Sequence, residues 1–230
     1  MLEVNGLKIK YPDGTCAIDD VSFFLQKGEN VALIGANGAG KTTLLLSLVG
    51  VLPSVGGDIK LGELLLDKKS LRQFRSQIAM VFQNPDDQLF MPNIYEDTAF
   101  GPRNFGCNEE VTAERVNTAL SQLGIAHLAE RSPLKLSGGE KRLAAIATVL
   151  AMQPDILLFD EPTAFLDPRA RRNMISVLTD LPQGKIIATH DILFVSEFCT
   201  RVLLLKEGCL VADEGIGLLQ DKEILEASGL

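Results

Sequence analysis

The segment Gly35-Ala-Asn-Gly-Ala-Gly-Lys-Thr42 stands between one apolar run, Val31-Ala-Leu-Ile34, and another from Leu44 to Val49. Few arrangements satisfy that order. An apolar run too short for a helix, a glycine-rich turn and a second apolar run together predict a buried strand, a tight loop and a helix beginning at Lys41. The glycines let the backbone curl so that successive N–H groups point inward at a phosphate, and the helix adds the positive end of its dipole. Lys41 then supplies a mobile charge for β- and γ-phosphates, and the Thr42 hydroxyl is placed for Mg²⁺. Gly35, Ala36, Asn37, Gly38, Ala39, Gly40, Lys41, Thr42 and the adjoining Thr43 are accordingly the candidate nucleotide-binding residues.

The 230 residues, 46% of them hydrophobic, suffice for one large domain or for a domain carrying a sub-domain. A net charge of −8 argues against a general nucleic-acid binder, because a phosphate backbone demands a basic stripe. Cys16, Cys107, Cys199 and Cys209 show neither zinc spacing nor a disulfide framework, and scattered thiols fit a reducing cytoplasm. The start of the chain lacks a signal-peptide pattern, and no stretch reaches the roughly eighteen apolar residues that span a bilayer. The chain therefore reads as soluble, with any membrane role exercised through a partner.

Short strands at Leu2 to Val4, Leu7 to Lys10, Val21 to Leu25 and Asp58 to Leu61, broken by Asn5-Gly6 and Pro12-Asp13-Gly14, predict an antiparallel β region. Runs at Val31 to Ile34, Ile78 to Phe82, Ile156 to Asp160, Lys185 to Thr189 and Val202 to Leu205 are apolar throughout, as a mostly parallel sheet covered on both faces requires. From about Asn84 to Met152 the pattern is helical, with helices near Ile94 to Phe105, Val111 to Leu123 and Gly138 to Ala151. The expected organisation is a single α/β domain: residues 1–83 and 153–230 form the nucleotide-binding core with its β region, and 84–152 an inserted helical sub-domain.

Two further elements carry chemistry. Ile156-Leu-Leu-Phe-Asp160-Glu161 ends a buried strand on two adjacent carboxylates. Alternation along a strand sends them apart, so Asp160 is assigned to the metal and Glu161 to an attacking water as general base. Leu136-Ser137-Gly138-Gly139-Glu140 opens a helix with a capping box, which accounts for Ser137 and Glu140 but not for the glycines. Two glycines in a first turn allow close approach of an anion, giving a second phosphate-ready helix start.

Phosphate loop, L-S-G-G-E element and paired acids together resemble the nucleotide-binding subunit of an ABC transporter over nearly the whole chain. That resemblance implies a P-loop, RecA-like core, ATP hydrolysis with Mg²⁺, and two subunits, a homodimer or a heterodimer, paired head to tail, each ATP lying between one phosphate loop and the other subunit's Ser137-Gly138-Gly139-Glu140. It also makes Gln83 the glutamine that touches Mg²⁺ or water and links to integral membrane subunits. Asp167 becomes the D-loop acid, His190 the γ-phosphate switch and Tyr11 the aromatic that stacks on adenine. Plainer readings stand beside these: Gln83 as a loop glutamine, Asp167-Pro168 as a helix cap, and Tyr11 as a turn-flanking ring.

Gln83-Asn-Pro-Asp-Asp-Gln-Leu-Phe90, followed by Glu96-Asp97 and Gly101-Pro102, is similar to the ATPases of energy-coupling-factor importers, particularly those for cobalt and nickel. The expected place is thus the cytoplasmic face of a membrane, held by membrane subunits. Phe165 departs from the small residue usual before Leu-Asp. Alternatives are a vitamin importer of the same type, a soluble ATPase of the family acting on DNA or ribosomes, or a nucleotide-gated module without turnover.

Overall fold

The computed structural model describes every residue except Phe165. In chain order its strands and helices are β1 (Leu2–Lys10), β2 (Cys16–Leu25), β3 (Asn30–Ile34), α1 (Lys41–Leu48), β4 (Gly56–Leu61), β5 (Leu64–Leu65), α2 (Leu71–Gln77), β6 (Ile78–Val81), α3 (Ile94–Asn104), α4 (Glu109–Gln122), α5 (Gly138–Leu150), β7 (Ile156–Asp160), α6 (Pro168–Thr179), β8 (Gly184–Ala188), α7 (Ile192–Phe198), β9 (Arg201–Lys206), β10 (Cys209–Gly215) and α8 (Lys222–Ala227). They fall into two compact units, one of residues 1–80, 155–161 and 182–230, the other of 81–154 and 162–181.

The first unit holds both sheets. One has strand order β2-β1-β4-β5, with β1 antiparallel to β2 and to β4. β1 is a single strand where the sequence suggests two: register shifts between Val4 and Leu7 absorb Asn5-Gly6 as a bulge rather than a turn. The other sheet runs β10-β9-β3-β8-β7-β6, and β3 pairs in parallel with β8 and β9 while β7 pairs in parallel with β8. β7 and β8 are buried along their whole length, which is why their sequences show no alternation. β10, Cys-Leu-Val-Ala-Asp-Glu-Gly, is an antiparallel edge strand on β9 whose short apolar start, Cys209 to Ala212, the sequence reading did not take as a strand. The second unit packs α3, α4 and α5 together, with α6 in the same unit. Among the described residues no helix is long and apolar enough to cross a membrane.

Lys185, at the start of β8, is only 2% exposed. Its ammonium donates to the Gln183 carbonyl (2.9 Å) and to Asn30 Oδ1 (3.2 Å), and burial pulls its pKa down to about 8. An unfolded chain keeps that proton to about 10.5, so across this window the unfolded state binds more protons and stability from this group rises with pH. Lys185→Met removes the dependence. The melting temperature of the variant minus that of the wild type should fall steadily between about pH 8 and 10.5; a pH-independent difference contradicts the assignment.

Candidate active site

The loop after β3 owes its shape to backbone conformations that need glycine. Gly35 has φ 153°, and a Cβ there would lie 2.2 Å from the Leu205 carbonyl oxygen. Gly40 has φ 105° and would meet the Ala17 carbonyl at 2.8 Å, immediately before α1. The Lys41 ammonium donates to the carbonyls of Gly35 (2.7 Å) and Ala36 (3.0 Å), which hold it over the loop. Burial lowers the Lys41 pKa, and the charges of Glu161 and Asp160 oppose that fall. An ammonium held this way, with its hydration partly stripped, is primed to gain from a phosphate.

Next along α1, the Thr42 hydroxyl donates to Asp160 Oδ2 at 2.8 Å. Asp160 is buried at the end of β7, and burial raises its pKa; the Glu161 charge adds to the rise, while the Thr42 bond and Lys41 counter it. One hydroxyl and one carboxylate form a hard oxygen pair. That donor set fits a small divalent ion such as Mg²⁺, which fills its other positions with water and phosphate oxygens. Thr43, also buried, shares a 2.5 Å hydrogen bond with the Tyr11 hydroxyl, so the ring proposed for adenine is anchored beside the loop. Tyr11 itself begins a turn in which its N–H donates to the Thr15 carbonyl and its carbonyl accepts from Gly14.

Asp160 and Glu161 do diverge, but not through strand alternation. β7 ends at Asp160, and Glu161 takes a left-handed conformation with φ 48° while its N–H donates to the Ala188 carbonyl. That backbone is costly for a residue with a side chain and turns Glu161 away from Asp160. Its two oxygens meet Thr189, which donates to Oε2 at 2.9 Å, and His190, whose Nδ1 lies 2.8 Å from Oε1. His190 keeps 65% of its side chain exposed, whereas Thr189 is fully buried. Sequence reading passed over Thr189; its only signal is its place between the last strand residue and His190.

The remaining candidates lie in the second unit. Ser137 and Glu140 form the expected capping box: Glu140 Oε2 accepts from the Ser137 N–H (2.8 Å) and hydroxyl (2.7 Å), bonds that lower the Glu140 pKa. Gly138 and Gly139 behave unlike Gly35. A Cβ on Gly138 would meet nothing within 4 Å, and one on Gly139 would touch only the Ala170 methyl at 3.8 Å. Asp167 caps α6, accepting from the N–H groups of Arg169 (2.8 Å) and Ala170 (2.9 Å), which lower its pKa. Ser137, Gly139, Asp167 and Ala170 line one cavity of about 650 Å³. Gln83, with Pro85, Gly138, Lys141 and Ala164, lines another of about 420 Å³. Phe165, set apart in the sequence, lies outside the described residues. Gln88, known from the sequence only as part of the Gln83 to Phe90 run, fastens the segment after Gln83 to α5.

The chain is similar to known proteins over most of its length. The family model described as ABC transporter matches residues 18–164, more than half of the chain. The energy-coupling factor transporter ATP-binding protein EcfA of Methanothermobacter thermautotrophicus is 41% identical over 236 residues, covering 100% of this chain and 76% of the relative. Among solved structures, CbiO1 of Clostridium perfringens, part of the ABC transporter complex CbiONQ, superposes with a TM-score of 0.86 at 36% identity, over 98% of this chain and 93% of that one. A dimeric ATP-binding cassette in a post-hydrolysis state, bound to ADP and Pi, superposes with a TM-score of 0.82 at 25% identity, over 94% and 99%. With its phosphate loop, its paired acids and the full span of these matches, the chain belongs to the ATP-binding, ATP-hydrolysing subunits of ABC transporters.

Proposed function

We propose that this chain powers an energy-coupling-factor type importer, with cobalt or nickel ions as the cargo, by closing on ATP with a second ATPase subunit at the cytoplasmic face of the membrane. The cargo reading rests on similarity to CbiO1 and on the Gln83 to Phe90 sequence. The pairing rests on one observation above all: neither Gly138 nor Gly139 is demanded by this chain's own packing or backbone. Glycines that the fold does not need, at the start of a helix, leave room for something outside the chain, and the phosphates of an ATP held by a second subunit fit that room. An apolar surface follows Gln83: Phe90 and Phe100 are 63% and 44% exposed and meet edge to face at 5.0 Å. A surface of that kind suits membrane subunits as partners.

In this reading Lys41 and the loop N–H groups bind the β- and γ-phosphates, and Tyr11 carries the adenine. Thr42 and Asp160 are the residues that would hold Mg²⁺, which supplies charge neutralisation at the phosphates, and Gln83 is given to the ion or its water by the family resemblance alone. Glu161 accepts a proton from the attacking water through the carboxylate that Thr189 and His190 orient, and His190, released toward the γ-phosphate, reports its presence. Asp167 and Glu140 act by holding their turns, and Ser137 donates to the phosphate across the pair.

The test is transport. Purified with its membrane subunits and placed in vesicles, the complex should take up cobalt or nickel only with ATP, and Glu161→Gln should stop it. Uptake of a vitamin and not of metal overturns the cargo assignment. Failure to associate with any polytopic membrane protein overturns the importer reading.

A further inference from the structure

The segment carrying Gln83 is tied to α5 at three points along one face of that helix. The Gln88 side chain is the main tie: its Oε1 accepts from the Phe82 N–H (3.1 Å), and its Nε2 donates to the Ala145 carbonyl (2.8 Å) and to Thr148 Oγ1 (2.8 Å). One turn nearer the start of the helix, Lys141 pairs with Asp86 at 2.6 Å. Positions 141, 145 and 148 follow helical spacing, so these contacts share a face. The next residue, Arg142, is buried and donates to the Ala164 carbonyl at 2.8 Å, in the segment leading to Asp167. α5 begins at Gly138, so every tie bears on the helix that presents Ser137, Gly138 and Gly139.

We infer that Gln88, supported by the Asp86–Lys141 pair, is a positioning residue that makes the Gln83 segment and the Ser137 to Gly139 turn move as one body, with Arg142 extending that body toward Asp167. Gln88 touches neither nucleotide nor water. It acts through α5. A turn held in register with the Gln83 segment reaches a second subunit's ATP already ordered, whereas a loosened one must be ordered as the subunits close, which weakens closure. The inference rests on the proposed pairing of subunits across ATP. Asp86 and Lys141 are partly exposed, so their pair contributes less than the three bonds of Gln88, whereas a like charge placed opposite Lys141 pushes the segment off α5.

The test uses the full chain with Glu161→Gln as parent and Mg-ATP as probe. Gln88→Met keeps the length of the side chain and removes its bonds. The Gln88→Met, Glu161→Gln protein should bind about one ATP per chain with affinity within about twofold of the parent, yet need about tenfold more protein to dimerise, as loss of roughly one ordering contact implies. In the Glu161 background Gln88→Met should lower kcat about tenfold with the KM for ATP unchanged. Asp86→Lys should weaken dimerisation, and Asp86→Lys with Lys141→Asp should restore it. Dimerisation within twofold of the parent for Gln88→Met, ATP bound to a minority of chains, or no restoration by the charge swap overturns the inference. If the Glu161→Gln parent itself fails to dimerise with ATP, the pairing fails and not the role of Gln88; if the parent dimerises and Gln88→Met does equally well, only the role of Gln88 fails.

Discussion

Glu161→Gln should lower ATP turnover by at least about 100-fold while leaving ATP affinity close to that of the wild type, a loss in the range for removal of a general base. The expectation follows from what the substitution keeps. A glutamine preserves length, shape and an oxygen that accepts from the Thr189 hydroxyl, and its amide stays within reach of His190 Nδ1. It cannot take a proton from water. Lys41, Thr42 and Tyr11, which the proposal gives to nucleotide binding, lie on other elements, so binding should survive. Steady-state kinetics together with ATP titration check both halves. Turnover near the wild-type rate removes Glu161 from the mechanism.

Lys41→Ala should have the second large effect, on binding rather than on turnover of bound ATP. The Lys41 ammonium is buried, held by two loop carbonyls and stripped of part of its water. Two charge-assisted bonds to phosphate at about 1.5 kcal/mol each amount to about 3 kcal/mol. That corresponds to roughly 100-fold in Kd. Loss of the cation also removes a positive charge that interacts with Asp160 and Glu161. The thermal shift produced by saturating ATP in the wild type should therefore vanish in Lys41→Ala at the same ATP concentration. A shift of wild-type size contradicts the placing of ATP at this loop.

The parallel core was legible because β7 and β8 are buried on both faces and so apolar at every position. The phosphate loop was legible because Gly35 and Gly40 answer to backbone that only glycine tolerates cheaply. Features resting on single long-range contacts were not. β10 has only a four-residue apolar start before Asp213 and Glu214, and its burial alternates because it is an edge strand paired to β9 alone. α2 buries one side chain, Phe74, too little to produce a helical period. The divergence of Asp160 and Glu161 comes from a left-handed residue that alternation cannot anticipate. Thr189 and Gln88 are ordinary letters in sequence, and their importance appears only where Thr189 meets Glu161, 28 residues away, and where Gln88 meets Ala145, 57 away.

In the proposed pairing, the loop from Gly35 to Thr42 is half of a site, completed by Ser137, Gly138 and Gly139 of a second copy. The most direct measurement is the mass in solution of Glu161→Gln with and without Mg-ATP, by light scattering. A 24.9 kDa monomer is expected without nucleotide and a particle of twice that mass with ATP. Adding Ser137→Arg should leave ATP bound but the mass at the monomer value. A Glu161→Gln protein saturated with ATP that remains a monomer at every concentration rules out the pairing.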